Sequence, residues 1–182
     1  MKQLICTIAE TIGIKIDNKD FNEFYQLHTE ILNIVCDSNK KKSIYQLYLD
    51  NTEFINNWDL VDSSAHHIVG PYLMDKSKAP LAELAQSDLL WERRIAIMST
   101  FHYIKNHEFT ETLKIAGRLI ADKEDLIHKA VGWMLREIGK RHLPSEETFL
   151  TKHYHNMPRT MLRYAIEKFP EPKRQRYLKG QI

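Results

Sequence analysis

Arg94-Ile-Ala-Ile97 returns as His128-Lys-Ala-Val131 and again as Arg163-Tyr-Ala-Ile166, with Ala96, Ala130 and Ala165 in register at intervals of 34 and 35 residues. Asp62-Ser-Ser-Ala65 precedes the first of these by 31 residues. A small residue recurring at that interval marks the contact point of a repeated helix pair, because one pair cannot bury its apolar side alone and must stack on its neighbour. The surrounding periodicity agrees. Leu90, Arg94, Ile97 and Phe101, then Ile127, Val131, Met134 and Ile138, then Met161, Ala165 and Phe169 recur at spacings of three and four, and no stretch alternates as a strand would. The sequence predicts an all-α chain, a curved solenoid of stacked antiparallel helix pairs (an α-α superhelix) of the HEAT kind.

Breakers and caps place helices near 20–36 and 40–50, and from Asn57 to Val69, where Gly70-Pro71 is expected to stop the chain. Further helices are expected at Pro80–Gln86, Asp88–Asn106, Phe109–Ala121, Glu124–Arg141, Ser145–His155, Arg159–Lys168 and Pro172–Leu178, with Ser145 as a candidate cap. The 182 residues, 43% hydrophobic and 27% charged, suit one globular repeat domain over 1–182, with 1–39 an atypical or shortened N-terminal part and 40–182 the regular repeats.

No window approaches the roughly 18 apolar residues of a membrane span, and Glu10 interrupts the apolar run Leu4–Ala9 before it forms a signal-peptide core. Cys6 and Cys36 have neither paired spacing nor histidines in metal-ligand register, which fits a reducing compartment. A cytoplasmic monomer is expected.

Charge is unevenly distributed. Residues 1–122 carry 13 Lys/Arg against 17 Asp/Glu, a net −4, whereas residues 123–182 carry 13 against 7, a net +6. In a solenoid, equivalent positions stand side by side on one face, so Arg94, Lys129 and Arg163, one or two residues before the aligned alanines, are candidates for a basic stripe. The alternative is arms lying over the apolar ridge with their charges in water.

Within Ile55-Asn-Asn-Trp-Asp-Leu-Val-Asp-Ser-Ser-Ala65 there are one tryptophan and two aspartates, and no Lys or Arg for ten residues on either side. On a helix capped by Asn57, Trp58 and Asp62 share a face while Asp59 turns away. Trp133 lies in the corresponding first helix of a later repeat, which would bring two indoles and a carboxylate to one surface; the competing reading makes both tryptophans core residues. Gly132, in mid-helix just before Trp133, marks the close approach of either another helix or a ligand.

The strings Asn56-Asn-Trp-Asp-Leu-Val-Asp62, Leu90-Trp-Glu-Arg-Arg-Ile-Ala-Ile97, Asp125-Leu-Ile-His-Lys-Ala-Val-Gly-Trp-Met-Leu-Arg-Glu137 and Met157-Pro-Arg-Thr-Met-Leu-Arg-Tyr-Ala-Ile166 together resemble the AlkD-type DNA alkylation repair enzymes, HEAT-like repeat DNA glycosylases. The resemblance sets in near residue 40, and Met1–Asn39 matches poorly, as if a repeat were lost or remodelled.

This resemblance implies excision of positively charged N3- and N7-alkyl purines from duplex DNA by hydrolysis of the N-glycosidic bond, without a metal or other cofactor. It implies Asp62, Trp58 and Trp133 as the catalytic residues and Arg94 as the arginine of Trp-x-x-Arg, in a groove where the damaged base stays stacked. Such a base is already a good leaving group, so the need is to stabilise a cationic deoxyribose, which a carboxylate and aromatic faces do. On that reading cations are kept away from Asp62. Arg94, Arg93, Lys129, Arg136, Arg159 and Arg163 would contact phosphates without reading sequence. The alternative is a non-catalytic HEAT-like module binding DNA or protein. No metal site is expected: His66 and His67 should face different sides of their helix, and His153 and His155 have no acidic partner at ligand spacing.

Overall fold

The structure is a computed structural model and describes residues 41–182. The helix expected near 20–36 and both cysteines lie outside the described residues. In chain order the helices are α1 (Lys41–Asp50), a 3₁₀ turn (Thr52–Phe54), α2 (Trp58–Leu73), α3 (Ala79–Leu84), α4 (Leu90–Ser99) and α5 (Phe101–Lys105). There follow α6 (Thr110–Leu119), α7 (Asp125–Gly139), α8 (Leu143–His153), α9 (Arg159–Ala165) with a 3₁₀ turn (Ile166–Lys168), and α10 (Glu171–Lys179). There is no strand among the described residues.

Helices α2, α4, α7 and α9 pack side by side in that order, with α1 against α2. In the second layer α3 packs on α4, α6 on α4 and α7, and α8 on α7. The chain is an all-α helical-repeat solenoid. Ala65, Ala96, Ala130 and Ala165, the residues in register, are all buried at the seams of the inner row, alongside Ile68, Ile97, Val131, Met134 and Leu162.

Two glycines set how closely that row packs. A Cβ on Gly132 would lie 2.5 Å from both the Met161 carbonyl oxygen and Tyr164 Cβ, so the group approaching Gly132 is helix α9. A Cβ on Gly70 would lie 2.5 Å from the Ser99 carbonyl oxygen of α4. Gly117, by contrast, has open space around it. Alanine should therefore have opposite effects in α6 and α7. Gly117→Ala is expected to raise stability by up to about 1 kcal/mol through helix propensity, whereas Gly132→Ala should lower it by about 1–3 kcal/mol because backbone and Cβ must be pushed aside. Urea unfolding of both variants checks this; the same sign in both would refute it.

The structure corrects three local expectations. Gly70-Pro71 does not stop α2, which runs through Pro71 to Leu73; the glycine serves the α2–α4 contact, and burial of Ile68, Val69 and Leu73 outweighs the hydrogen bond lost to proline. The helix expected over Asp88–Asn106 is broken at Thr100, where the Ser99 hydroxyl donates to the Ile95 carbonyl and the Thr100 hydroxyl to the Ile97 carbonyl, each at 2.6 Å. Such bonds compete with the helix ladder and bend it. Lastly, the cap of α8 is His142, whose Nδ1 accepts from the Ser145 backbone N–H at 3.3 Å, so Ser145 lies inside the helix.

Candidate active site

Helix α2 begins as the residues require: Asn57 is extended at φ −145° and its side chain accepts from the Asp59 N–H. Trp58, in the first turn, is 51% exposed, and Asp62 follows one turn later on the same side. Asp59 is exposed.

Asp62 is held by Arg94. The guanidinium donates from Nε to one carboxylate oxygen and from Nη2 to the other, both at 2.8 Å, and from Nη1 to the Leu126 carbonyl at 2.5 Å. One arginine of α4 thus ties α2 to α7. This overturns the expectation that cations are kept away from Asp62: the local sequence lacks them, and the repeat 32 residues on supplies one. It also places Arg94 in the interior, away from the open surface on which a phosphate contact was expected. At 4% exposure, with three of its N–H groups engaged, the side chain is a strut of the site.

Beside this pair, α2, α5 and α7 bring three aromatic rings into contact. His66, one turn beyond Asp62, lies 5.4 Å from Phe101, and Phe101 lies 6.2 Å from Trp133, a separation that suits tilted ring packing. The His66 and His67 rings are 3.9 Å apart, which corrects the expectation that they diverge. Burial, with smaller contributions from His67 and Lys105, lowers the His66 pKa to about 3, so the imidazole is neutral and takes its place in the row as an aromatic. Lys105 lies 4.4 Å over the Phe101 ring. Phe101 was read from sequence only as part of the helical period and not as a site residue; the break at Thr100 puts it on α5.

Trp133 is half-buried, and its indole N–H donates to Glu137 at 3.3 Å. Glu137, also not anticipated, is only 6% exposed and is clamped by Lys140 at 2.5 Å and Arg141 at 2.9 Å. Burial would raise its carboxyl pKa, but those two cations and the indole together hold it below the ordinary value.

The remaining expected cations divide by what holds them. Arg93 donates to Asp122 at 2.6 Å and to the Ser87 and Asp88 carbonyls, and Arg136 pairs with Glu167; both guanidinium groups are mostly buried between repeats, which corrects their expected place on an open DNA-facing surface. Lys129, Arg159 and Arg163 reach solvent: Lys129 is paired with Asp125 at 2.7 Å, and Arg159 donates to the Leu178 carbonyl at 2.7 Å. Lys129, Arg163, Arg174 and the 37% exposed Tyr164, together with Asp125 and Glu167, line an open cleft of about 450 Å³ among α7, α9 and α10. Arg94 and Arg163 both stand two residues before an aligned alanine, yet only Arg94 has a first helix on each side to bury it.

Among the described residues no group of three His, Cys, Asp or Glu side chains is arranged to hold a metal ion, and no helix is long and apolar enough to cross a membrane.

Stacked helix pairs with a carboxylate–arginine pair and, beside it, a row of aromatic rings define a helical-repeat protein with an ionic and aromatic site. The family model for DNA alkylation repair enzymes matches residues 16–169, and the chain belongs to that family. The match begins well before residue 40, so the expectation that the family likeness sets in only there is corrected. Comparison with curated proteins finds no match. Family membership carries an enzyme's role in the repair of alkylated DNA.

Proposed function

We propose that the protein is a monofunctional DNA glycosylase that excises positively charged N3- and N7-alkyl purines from duplex DNA, with Asp62 acting on the deoxyribose cation and Trp58 and Trp133 presenting aromatic faces to it. The observation that carries this reading is the Asp62 carboxylate, fixed at both oxygens by Arg94 on a face beside an exposed tryptophan. As the glycosidic bond lengthens, positive charge grows on C1′ and the electron pair leaves with the neutralised base. A carboxylate already oriented needs no reorganisation to stabilise that charge, and each oxygen keeps a lone pair with which to orient the attacking water.

Arg94 aims Asp62, and the phosphates fall to the exposed Lys129, Arg159 and Arg163, in the part of the chain whose net charge is +6. No metal or organic cofactor is needed, because the alkylated base leaves without further activation. The two-oxygen clamp on Asp62 also favours a second reading, in which the ion pair is purely structural and the protein binds DNA without chemistry. One assay separates them. Purified protein is incubated with duplex DNA carrying a single N7-methylguanine, and the strand is then heated in alkali to cleave abasic sites. Scission above the protein-free control is expected; scission equal to that control leaves the binding reading.

A further inference from the structure

Glu137 is a buried carboxylate on the inner row, one turn beyond Trp133, and the proposed chemistry does not use it. Its three side-chain partners converge: Lys140 at 2.5 Å, Arg141 at 2.9 Å and the Trp133 indole N–H at 3.3 Å. Arg141 also donates to the Glu137 backbone carbonyl at 2.9 Å and lies 5.9 Å from the Phe101 ring centre. Carboxylate, indole and phenyl ring are thus tied into one unit joining α5 to α7.

The carboxylate is more firmly held than surface i,i+4 pairs are, since its own residue is 6% exposed and both clamping cations are donated by its own helix end. A side chain so constrained fixes the ring that bonds to it. An indole N–H that donates to an anion also has its electron density shifted toward the ring, which strengthens the negative face that attracts cations.

We infer that Glu137 is a positioning residue for Trp133: it fixes the orientation of the indole and raises the affinity of its face for a cationic base or sugar. This rests on the role proposed for Trp133. Lys140 and Arg141 keep the carboxylate ionised and in place, and the Phe101 ring packs 6.2 Å from the indole.

The test uses the full chain with indole-¹⁵N tryptophan, the Trp133 N–H resonance being assigned by its disappearance in Trp133→Phe. The resonance should move upfield in Glu137→Gln, where a neutral amide replaces the anionic acceptor. Affinities are then measured for a duplex carrying cationic N7-methyl-2′-fluoro-deoxyguanosine, which resists cleavage, and for the same duplex with unmethylated 2′-fluoro-deoxyguanosine. Glu137→Gln should lose about three- to tenfold of the preference for the cationic duplex while binding the neutral one like the parent. In a Trp133→Phe background the same substitution should change nothing further, which a merely structural role would not produce.

An unmoved resonance overturns the anchoring. A parent preference that Glu137→Gln leaves intact overturns the inference alone. A parent that binds both duplexes equally overturns the role proposed for Trp133, and with it that of Glu137 in cation recognition.

Discussion

Asp62→Asn should lower single-turnover excision of N7-methylguanine by roughly 10²-fold or more, the scale lost with one electrostatic stabiliser, while affinity for undamaged duplex stays within about a factor of two. The carboxylate acts on charge that exists only near the transition state, so rate and binding should separate. The Arg94 pair adds a complication that sequence alone did not reveal. Asparagine leaves a guanidinium of 4% exposure facing a neutral amide, and breaking such a pair from one side should cost about 1–3 kcal/mol of stability. A control therefore follows from the geometry. Asp62→Asn combined with Arg94→Gln removes both charges, and the melting temperature should recover towards the parent value while excision stays low. Excision that returns with stability would make Asp62 a structural partner of Arg94, and a parental rate in Asp62→Asn alone would end its catalytic assignment.

Glu146→Gln should remove the loss of stability that the parent shows as pH rises from about 4.5 to about 8. The Glu146 side chain is 1% exposed and occupies the space that a side chain at Gly139 would fill, with one oxygen buried and unpartnered. Burial first, and then the neighbouring Glu147, push its carboxyl up to about 8 from an ordinary value of 4.5, against the opposing pull of Arg136 and Lys173. A folded-state pKa raised in this way gives stability that is complete below 4.5 and lost as pH rises through about 8. The loss should be of the order of 3–5 kcal/mol. Glutamine keeps the shape and cannot ionise, so the variant should be less pH-dependent than the parent and more stable than it above about pH 8.

His66 works in the opposite sense. Its pKa, lowered to about 3 by burial, makes stability fall as pH drops below 6.5, equally in both proteins. The difference between the two denaturation profiles therefore isolates Glu146. Profiles that run parallel across the range would show that Glu146 does not ionise there.

Helix periodicity and the interval between the aligned alanines were sufficient for the fold, because burial at a helix seam demands a small residue at a fixed place in every repeat. Ala65, Ala96, Ala130 and Ala165 are buried as that pattern requires. The Asn57 cap and the shared face of Trp58 and Asp62 were legible for a similar reason, being set within one or two turns of a single helix. Helix ends were less so. Whether Gly70 halts a helix or admits a neighbour, and whether Ser99 and Thr100 bend one, depends on what packs there.

The role of each charge was decided only by the tertiary structure. Arg93, Arg94 and Arg163 are alike in sequence, yet Arg94 lies between two helices where Asp62 and the Leu126 carbonyl meet it, Arg93 reaches Asp122, and Arg163 faces the open cleft. Glu137 has no role legible in the sequence, and becomes the anchor of Trp133 only because the helix row buries it. Chain periodicity determines which face of a helix a residue occupies. What stands opposite that face, and therefore whether an arginine such as Arg93 or Arg94 is a strut or a free cation, is fixed by neighbours about 30 residues away in sequence, through Coulomb interactions whose strength depends on how far packing has excluded water.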